Sequence, residues 1–196
     1  MSEQLTLRAA IEDDAPMLAW TIRNAFEEYR DILDPPTDAH LEGHLTVLER
    51  LKRGSGVVAL FGAGIVGCAF YEVMGGKLYL ERLAVHPSFR NQGIGRRLIE
   101  FVEREARDLG FDTLHLGVRI GPAGPEHAGA YYERFGYQYV GAGAHAGYAE
   151  PTYILMGKRL GLNECSETKL TPEGEAAVKK AVDNWAANQR QERDER

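Results

Sequence analysis

Cysteine is scarce in this sequence, with Cys68 and Cys165 the only two among 196 residues. They make neither a disulfide framework nor a CxxC metal pair, and such usage suits a reducing compartment. Positive charge is also in short supply: 23 Lys and Arg against 29 Asp and Glu leave a formal charge of −6. An acidic chain is a poor general binder of nucleic acid, because that affinity comes largely from neutralising phosphates. Long apolar runs are missing as well. The longest uncharged stretch, Gly54 to Tyr71, is 18 residues and is interrupted by Gly56, Gly62, Gly64 and Gly67; a membrane span takes about 20 predominantly apolar residues. The opening Met-Ser-Glu-Gln has neither the basic nor the apolar region of a secretory signal. Together these absences predict a cytoplasmic protein with no nucleic-acid and no membrane partner.

Glycine is in excess. There are 22, against a usual share of about 7%, and all but Gly174 lie between Gly43 and Gly161. The hydrophobic content of 44% and charged content of 27% are ordinary for a globular chain. Leu5, Leu7 and Ala9 alternate as a short strand. Leu18, Ile22, Phe26 and Tyr29 then make one helical face after Asp13, Asp14 and Pro16. Thr37 is a good cap for a second amphipathic helix carrying Leu41, Leu45, Leu48 and Leu51 and ending at Gly54. Val57–Phe61 and Ile65–Tyr71 read as a hairpin, and Leu78 to Val85 as a further strand. Gly95 to Leu109 is a helix with Gly110 beyond its end. A strand at Thr113 to Val118, a short helix at Ala128 to Phe135, and strands at Tyr137–Val140 and Tyr153–Met156 follow. This order predicts a mixed α/β (α+β) domain over residues 1–160. Residues 161–196 hold eight acidic and six basic side chains and read as a charged helical tail, with Val178, Ala181, Val182 and Trp185 as its stripe.

The stretch most suited to chemistry is Leu80 to Ile99. A strand ends at Leu83-Ala84-Val85-His86-Pro87, and Arg90-x-x-Gly93-x-Gly95 opens a helix. Amides at a helix N-terminus, aided by the dipole, attract anions, and glycines let backbone approach a phosphate closely. A P-loop would need Gly-Lys-Ser/Thr, but Gly95 is followed by Arg96 and Arg97. The dinucleotide fingerprint would need a third glycine where Leu98 stands.

What survives is similar to the acetyl-CoA motif of the GNAT superfamily of N-acetyltransferases, and the chain resembles that superfamily from about Leu5 to Leu160. Ala130-Tyr-Tyr-Glu-Arg-Phe-Gly-Tyr137 looks like its helix-to-strand element, and Tyr153 to Leu160 looks like its last strand. The resemblance implies a mixed, mostly antiparallel sheet flanked by helices, with CoA in a splay between the Leu78–Val85 and Thr113–Val118 strands. It implies that backbone groups of Leu83, Ala84 and Val85 pair with the pantetheine arm. Amides from Arg90, Asn91, Gln92, Gly93, Ile94, Gly95 and Arg96 would hold the pyrophosphate, and the Val85 N–H would face the thioester oxygen. Tyr132 matches the tyrosine that protonates the departing thiolate, with Tyr131 and Tyr137 as core. Glu81, on the strand face expected for Leu83 and Val85, is the candidate base or else a solvated strand residue.

The implied reaction is acetyl transfer from acetyl-CoA to a small-molecule or protein amine by direct attack in a ternary complex, without a metal and with homodimerisation allowed for. The alternative is a non-catalytic acyl-CoA-binding or partner-docking module. One departure from the family pattern is the lack of any Asn between Asn91 and Asn163, where relatives use one on CoA; His127 or backbone would have to substitute. His40 and His44 have the spacing of a zinc pair, but Leu41 stands where HExxH needs Glu, so they read as surface histidines. His115 faces either the acceptor cleft or solvent.

Overall fold

The computed structural model describes residues 5–161; the expected tail and Cys165 lie outside them. Seven strands form one sheet in the order β1-β2-β3-β4-β5-β7-β6. In chain order these are β1 (Leu5–Ala9), β2 (Ser55–Phe61), β3 (Gly64–Met74), β4 (Lys77–Val85), β5 (Thr113–Arg119), β6 (Gln138–Gly143) and β7 (Tyr153–Arg159). Every neighbouring pair is antiparallel except β4 and β5. Helix α3 (Ile94–Asp108) covers one face of the sheet. Helices α1 (Ala15–Phe26) and α2 (His44–Arg53) cover the other, over β2 to β4. Strand alternation accounts for the two cores. Leu78 and Leu80 pack with Leu98, Ile99 and Val102 of α3, while Val58, Cys68 and Phe70 pack with Leu18, Ile22 and Val47.

The second helix differs from the sequence expectation. Thr37 does cap, its Oγ1 accepting from the Ala39 N–H at 3.2 Å, but it caps a single 3-10 turn, Asp38–Leu41. Helix α2 restarts at His44, where the Gly43 N–H donates to Thr46 Oγ1 at 2.8 Å. The break turns Leu41 and Leu45 outward, at 80% and 65% exposed, and leaves Val47 and Leu51 as the buried residues. The tyrosine helix is likewise two single turns, α4 (Pro125–Ala128) and α5 (Ala130–Glu133), joined at Gly129. A side chain at Gly129 would meet Met156, so close packing on β7 sets that joint. None of the described helices is long and apolar enough to cross a membrane.

Candidate active site

Two features open the middle of the sheet. Strands β4 and β5 pair only from Leu78↔Leu114 to Leu80↔Leu116, after which β5 continues against β7 as far as Arg119↔Tyr153. The β4 edge beyond Leu80 therefore has no strand beside it. At the same point β4 changes phase. Cys68↔Ala84 is followed by Phe70↔Glu81, so β4 spends one extra residue there, and Arg82 takes a left-handed φ of 47°. Such a bulge inverts the alternation. Leu78 and Leu80 face α3, Ala84 lies in the α1 core, and Leu83 and Val85 face α3 again.

This overturns the expected grouping of Glu81 with Leu83 and Val85. Glu81 points to the α1–α2 face, where Arg50 Nη1 donates to its Oε2 at 2.7 Å. Arg50 also holds Glu42 at 2.7 Å, and Arg82 donates to the same Glu42 oxygen at 3.0 Å and to Asp38. Thr46 Oγ1 completes the cage around the Glu42 carboxylate at 2.8 Å. Burial alone would raise the Glu42 pKa; Thr46, Arg50 and Arg82 outweigh it and hold the group below its ordinary value.

The exposed edge supplies directed hydrogen-bonding groups. His86 N–H donates to the Val66 carbonyl at 2.9 Å, so by alternation the N–H groups of Val85 and Leu83 point away from β3 into the splay. Ala84 belongs to the other set: its backbone faces β3, so of the three expected pantetheine partners it alone turns away. The Val85 carbonyl accepts from Arg90 Nε at 3.2 Å, and the Val85 N–H stays open.

Beyond the strand, Asn91 and Gly93 adopt φ of 61° and 77° and turn the chain into α3. No side chain caps that helix, which leaves the first amides, Ile94 to Arg96, without an intrahelical partner in residues that line the cleft. Arg90 is an anchor: its amide, expected on the pyrophosphate, donates to the Pro87 carbonyl at 3.2 Å, and its side chain is held as well. Its Nη1 lies 2.8 Å from both carboxylate oxygens of Glu28, and its Nη2 donates to the Ala25 carbonyl at 2.7 Å. Arg96 pairs with Glu100 at 2.7 Å on the helix surface.

The two motif glycines do different jobs. Gly93 has open space where a side chain would stand, and its positive φ is what requires glycine. At Gly95 that space is taken by the hydroxyl of Tyr131. Tyr131 is therefore not the core residue expected: it is 38% exposed, lies edge-on to Tyr132 and Phe135, and has Arg134 5.2 Å over its ring. Tyr137 is core, at 1% exposed. Tyr132 packs against it, ring centroids 6.0 Å apart, and lines the cleft. Burial pushes the Tyr132 phenol well up from 10.0, so it stays protonated across neutral pH. Cys68 is fully buried and its thiol is pushed up to about 12 by desolvation, which withdraws it as a nucleophile.

The resulting cleft, of about 1540 Å³, runs through the sheet at the splay. Val85, Gly95, Tyr131 and Tyr132 line it towards α3, and Tyr79, Glu81, Arg119 and Tyr153 line it on the α1–α2 face. Residues 52–139 match the family model of the acetyltransferase (GNAT) domain. That stretch matches the GNAT acetyltransferase domain, and the described sheet has the GNAT fold. The match begins at the end of α2 and takes in the splayed strands, the glycine turn and both tyrosines.

Solved structures share this GNAT fold. The ribosomal-protein-S18-alanine N-acetyltransferase from Escherichia coli is 20% identical, with a TM-score of 0.61 over 86% of this chain and 100% of that one. The PaiA N-acetyltransferase from Thermoplasma acidophilum, solved with coenzyme A, is 16% identical, with a TM-score of 0.60 over 80% and 99%. An aminoglycoside 6'-acetyltransferase type Ii is 25% identical, with a TM-score of 0.60 over 79% and 97%. No curated protein sequence matches.

Side chains from the segment after α1 and from the late loops, where Tyr29, Asp34, Pro35, His145 and Tyr148 are expected from the sequence, complete the GNAT cleft, together with Arg119, which sequence reading passed over. His145 Nδ1 lies 2.5 Å from Thr152 Oγ1, and its ring stands edge-on to Tyr153 at 5.3 Å. Arg119 donates to the Pro35 carbonyl, and the Tyr148 hydroxyl donates to Asp34, tying the β6–β7 loop and β5 to the segment after α1. Alternation along β5 carried the Arg119 signal, since Leu114 and Leu116 face α3 and Arg119 must face away. His127, where the family Asn is absent, lines the cleft with its Nδ1 2.9 Å from the Ala123 carbonyl. His115 stands on the α1–α2 face with its ring 5.4 Å from that of Tyr79. His40 Nε2 lies 2.8 Å from the Phe26 carbonyl.

Proposed function

We propose that this protein transfers an acetyl group from acetyl-CoA to a primary amine by direct attack in a ternary complex. The observation that carries the reading is the junction of an unpaired β4 edge with an uncapped α3 N-terminus in one cleft. That pairing of surfaces fits a ligand with a peptide-like arm on a pyrophosphate. Leu83 and Val85 would bind the arm as an added strand, and the Asn91–Arg96 amides would take the pyrophosphate. The Val85 N–H, aimed into the splay, is a donor for the oxyanion that forms as the amine attacks. The structures solved with coenzyme A support the same assignment by likeness of fold.

Tyr132 is the proposed acid for the leaving thiolate, partly buried and protonated beside the open edge. Glu81 is the proposed base. An alkylamine must first lose a proton, which at pH 7 costs roughly 4.6 kcal/mol. The bulge at Arg82 sets Glu81 on the face opposite the α3 turn, with only its Oε2 engaged by Arg50. Amine and thioester would then meet from opposite sides of the splay. Residues 1–160 form the catalytic unit in this reading.

Calorimetry with CoA tests the cofactor half. Binding that is lost with pantetheine lacking the pyrophosphate supports the reading; absence of any CoA binding removes it. A non-catalytic acyl-CoA module would bind equally well and would release no thiol when amines are added.

A further inference from the structure

Resting on the acetyltransferase reading, the structure assigns the acceptor a chemical class: we propose that it carries a carboxylate near its amine and that Arg119 receives that carboxylate. Of the cations lining the cleft, Arg82 is paired with Asp38 and Glu42, Arg90 with Glu28, and Arg96 with Glu100. Arg134 lies over Tyr131 at the α3 end. Arg119 is the cation on the opposite, α1–α2 face that forms no ion pair among the described residues. Its Nη2 donates to the Pro35 carbonyl, and its buried Nε has no partner.

A charged group with an unused buried donor is costly to keep, so its retention calls for an explanation. The nearby carboxylates do not supply one, because Asp34 accepts from the Tyr148 hydroxyl and Asp38 from Arg82. The Pro35 bond holds the guanidinium in place, and a fixed guanidinium suits a planar carboxylate. Burial lowers the Arg119 pKa from 12.5, and the group remains a cation at neutral pH.

Position agrees with chemistry. Arg119 shares a sheet face with Glu81, since both alternate with side chains packed against α3. Leu80 is level with Leu116, so Arg119 lies two residues, about 7 Å of strand, past the level of Glu81 and one strand over. An amino acid, or an amino carboxylate with a short apolar link, would reach Arg119 while offering its amine to the Glu81 side. Tyr79, Tyr153 and Leu33 line the wall nearby and would cover an apolar side chain or link.

The test uses the full chain with CoA bound, and L-phenylalanine and 6-aminohexanoate each set against its own amide. Calorimetry reads binding, and thiol release from acetyl-CoA reads turnover. The expected result is a preference for the acid over the amide of about tenfold or more in at least one pair. Arg119→Gln should reduce that preference to below about twofold and leave CoA affinity unchanged, while Arg119→Lys keeps part of it. Equal binding of acids and amides by the parent overturns the proposal, as does an unaltered preference in Arg119→Gln. So does CoA binding with no affinity for any of the four compounds. Unchanged CoA affinity shows that the variant is folded. Failure of the parent to bind CoA at all would instead bring down the acetyltransferase reading beneath it.

Discussion

Glu81 and Leu83 stand two residues apart on one strand and face opposite sides of the sheet, because Arg82 between them adopts a φ of 47°. Regular alternation would have put both on one face. The inversion lets a single strand serve both sides of the splay, with Leu83 and Val85 towards α3 and Glu81 towards Arg50 on the α1–α2 face. The cage of Glu42, Asp38 and Arg50 that receives Glu81 and Arg82 holds the bulge from the α2 side.

Glu81→Gln should reduce kcat for alkylamine acceptors by about a hundredfold, the lower range for a lost general base. The loss should shrink for an amine with a pKa near 7, which needs no deprotonation. A rate comparison over acceptors of graded pKa checks this, and an equal loss for all of them would assign Glu81 a structural role.

Tyr132→Phe should lower kcat by about a hundredfold or more while CoA affinity stays within about twofold. With the phenol pKa raised above 10.0 by burial, no loss of turnover from Tyr132 ionisation should appear below pH 10. Unchanged turnover in the variant would remove Tyr132 from the reaction.

The motif glycines should separate under alanine substitution. Gly93→Ala forces a side chain into φ +77° and should cost about 1–2 kcal/mol of stability. Gly95→Ala meets only the tip of Tyr131, which can rotate away, so stability should change by less than about 0.5 kcal/mol. Denaturant titration reads both, and the reverse order would contradict the assignment.

Glu42 sets a pH dependence of stability. Its folded pKa is held below the ordinary 4.5 despite burial, so its contribution is complete above that value and is lost as pH falls through the lower folded value. Glu42→Gln should cost about 3 kcal/mol at pH 7, by leaving Arg50 and Arg82 short of a carboxylate. It should also flatten the decline in stability on the acid side. Melting temperatures from pH 3 to pH 7 check the sign.

Much of the frame was legible in the residues. The alternation at Leu78 to Val85, the period of Leu98, Ile99, Val102 and Ala106, and the Arg90–Gly95 turn are local patterns, and each marked its element within a residue or two. The face of Glu81 was not legible, because a bulge is set by pairing with β3, about ten residues away, and a left-handed arginine carries no sequence mark. Tyr131 misled for a similar reason. On a continuous helix it would point inward, but Gly129 splits that helix and turns the ring over Gly95. Leu41 and Leu45 fit a helical stripe that Gly43 interrupts. Arg119 and Pro35 lie too far apart in sequence for any local pattern to join them.

Amine-dependent acetyl transfer in the splayed cleft is the proposed activity. Its most direct measurement is thiol release from acetyl-CoA by the full chain, with and without a panel of amines, amino acids and peptides. Acceptor-dependent release that collapses in Tyr132→Phe is the predicted result. Tight CoA binding with no acceptor-dependent release from any member of the panel would contradict it.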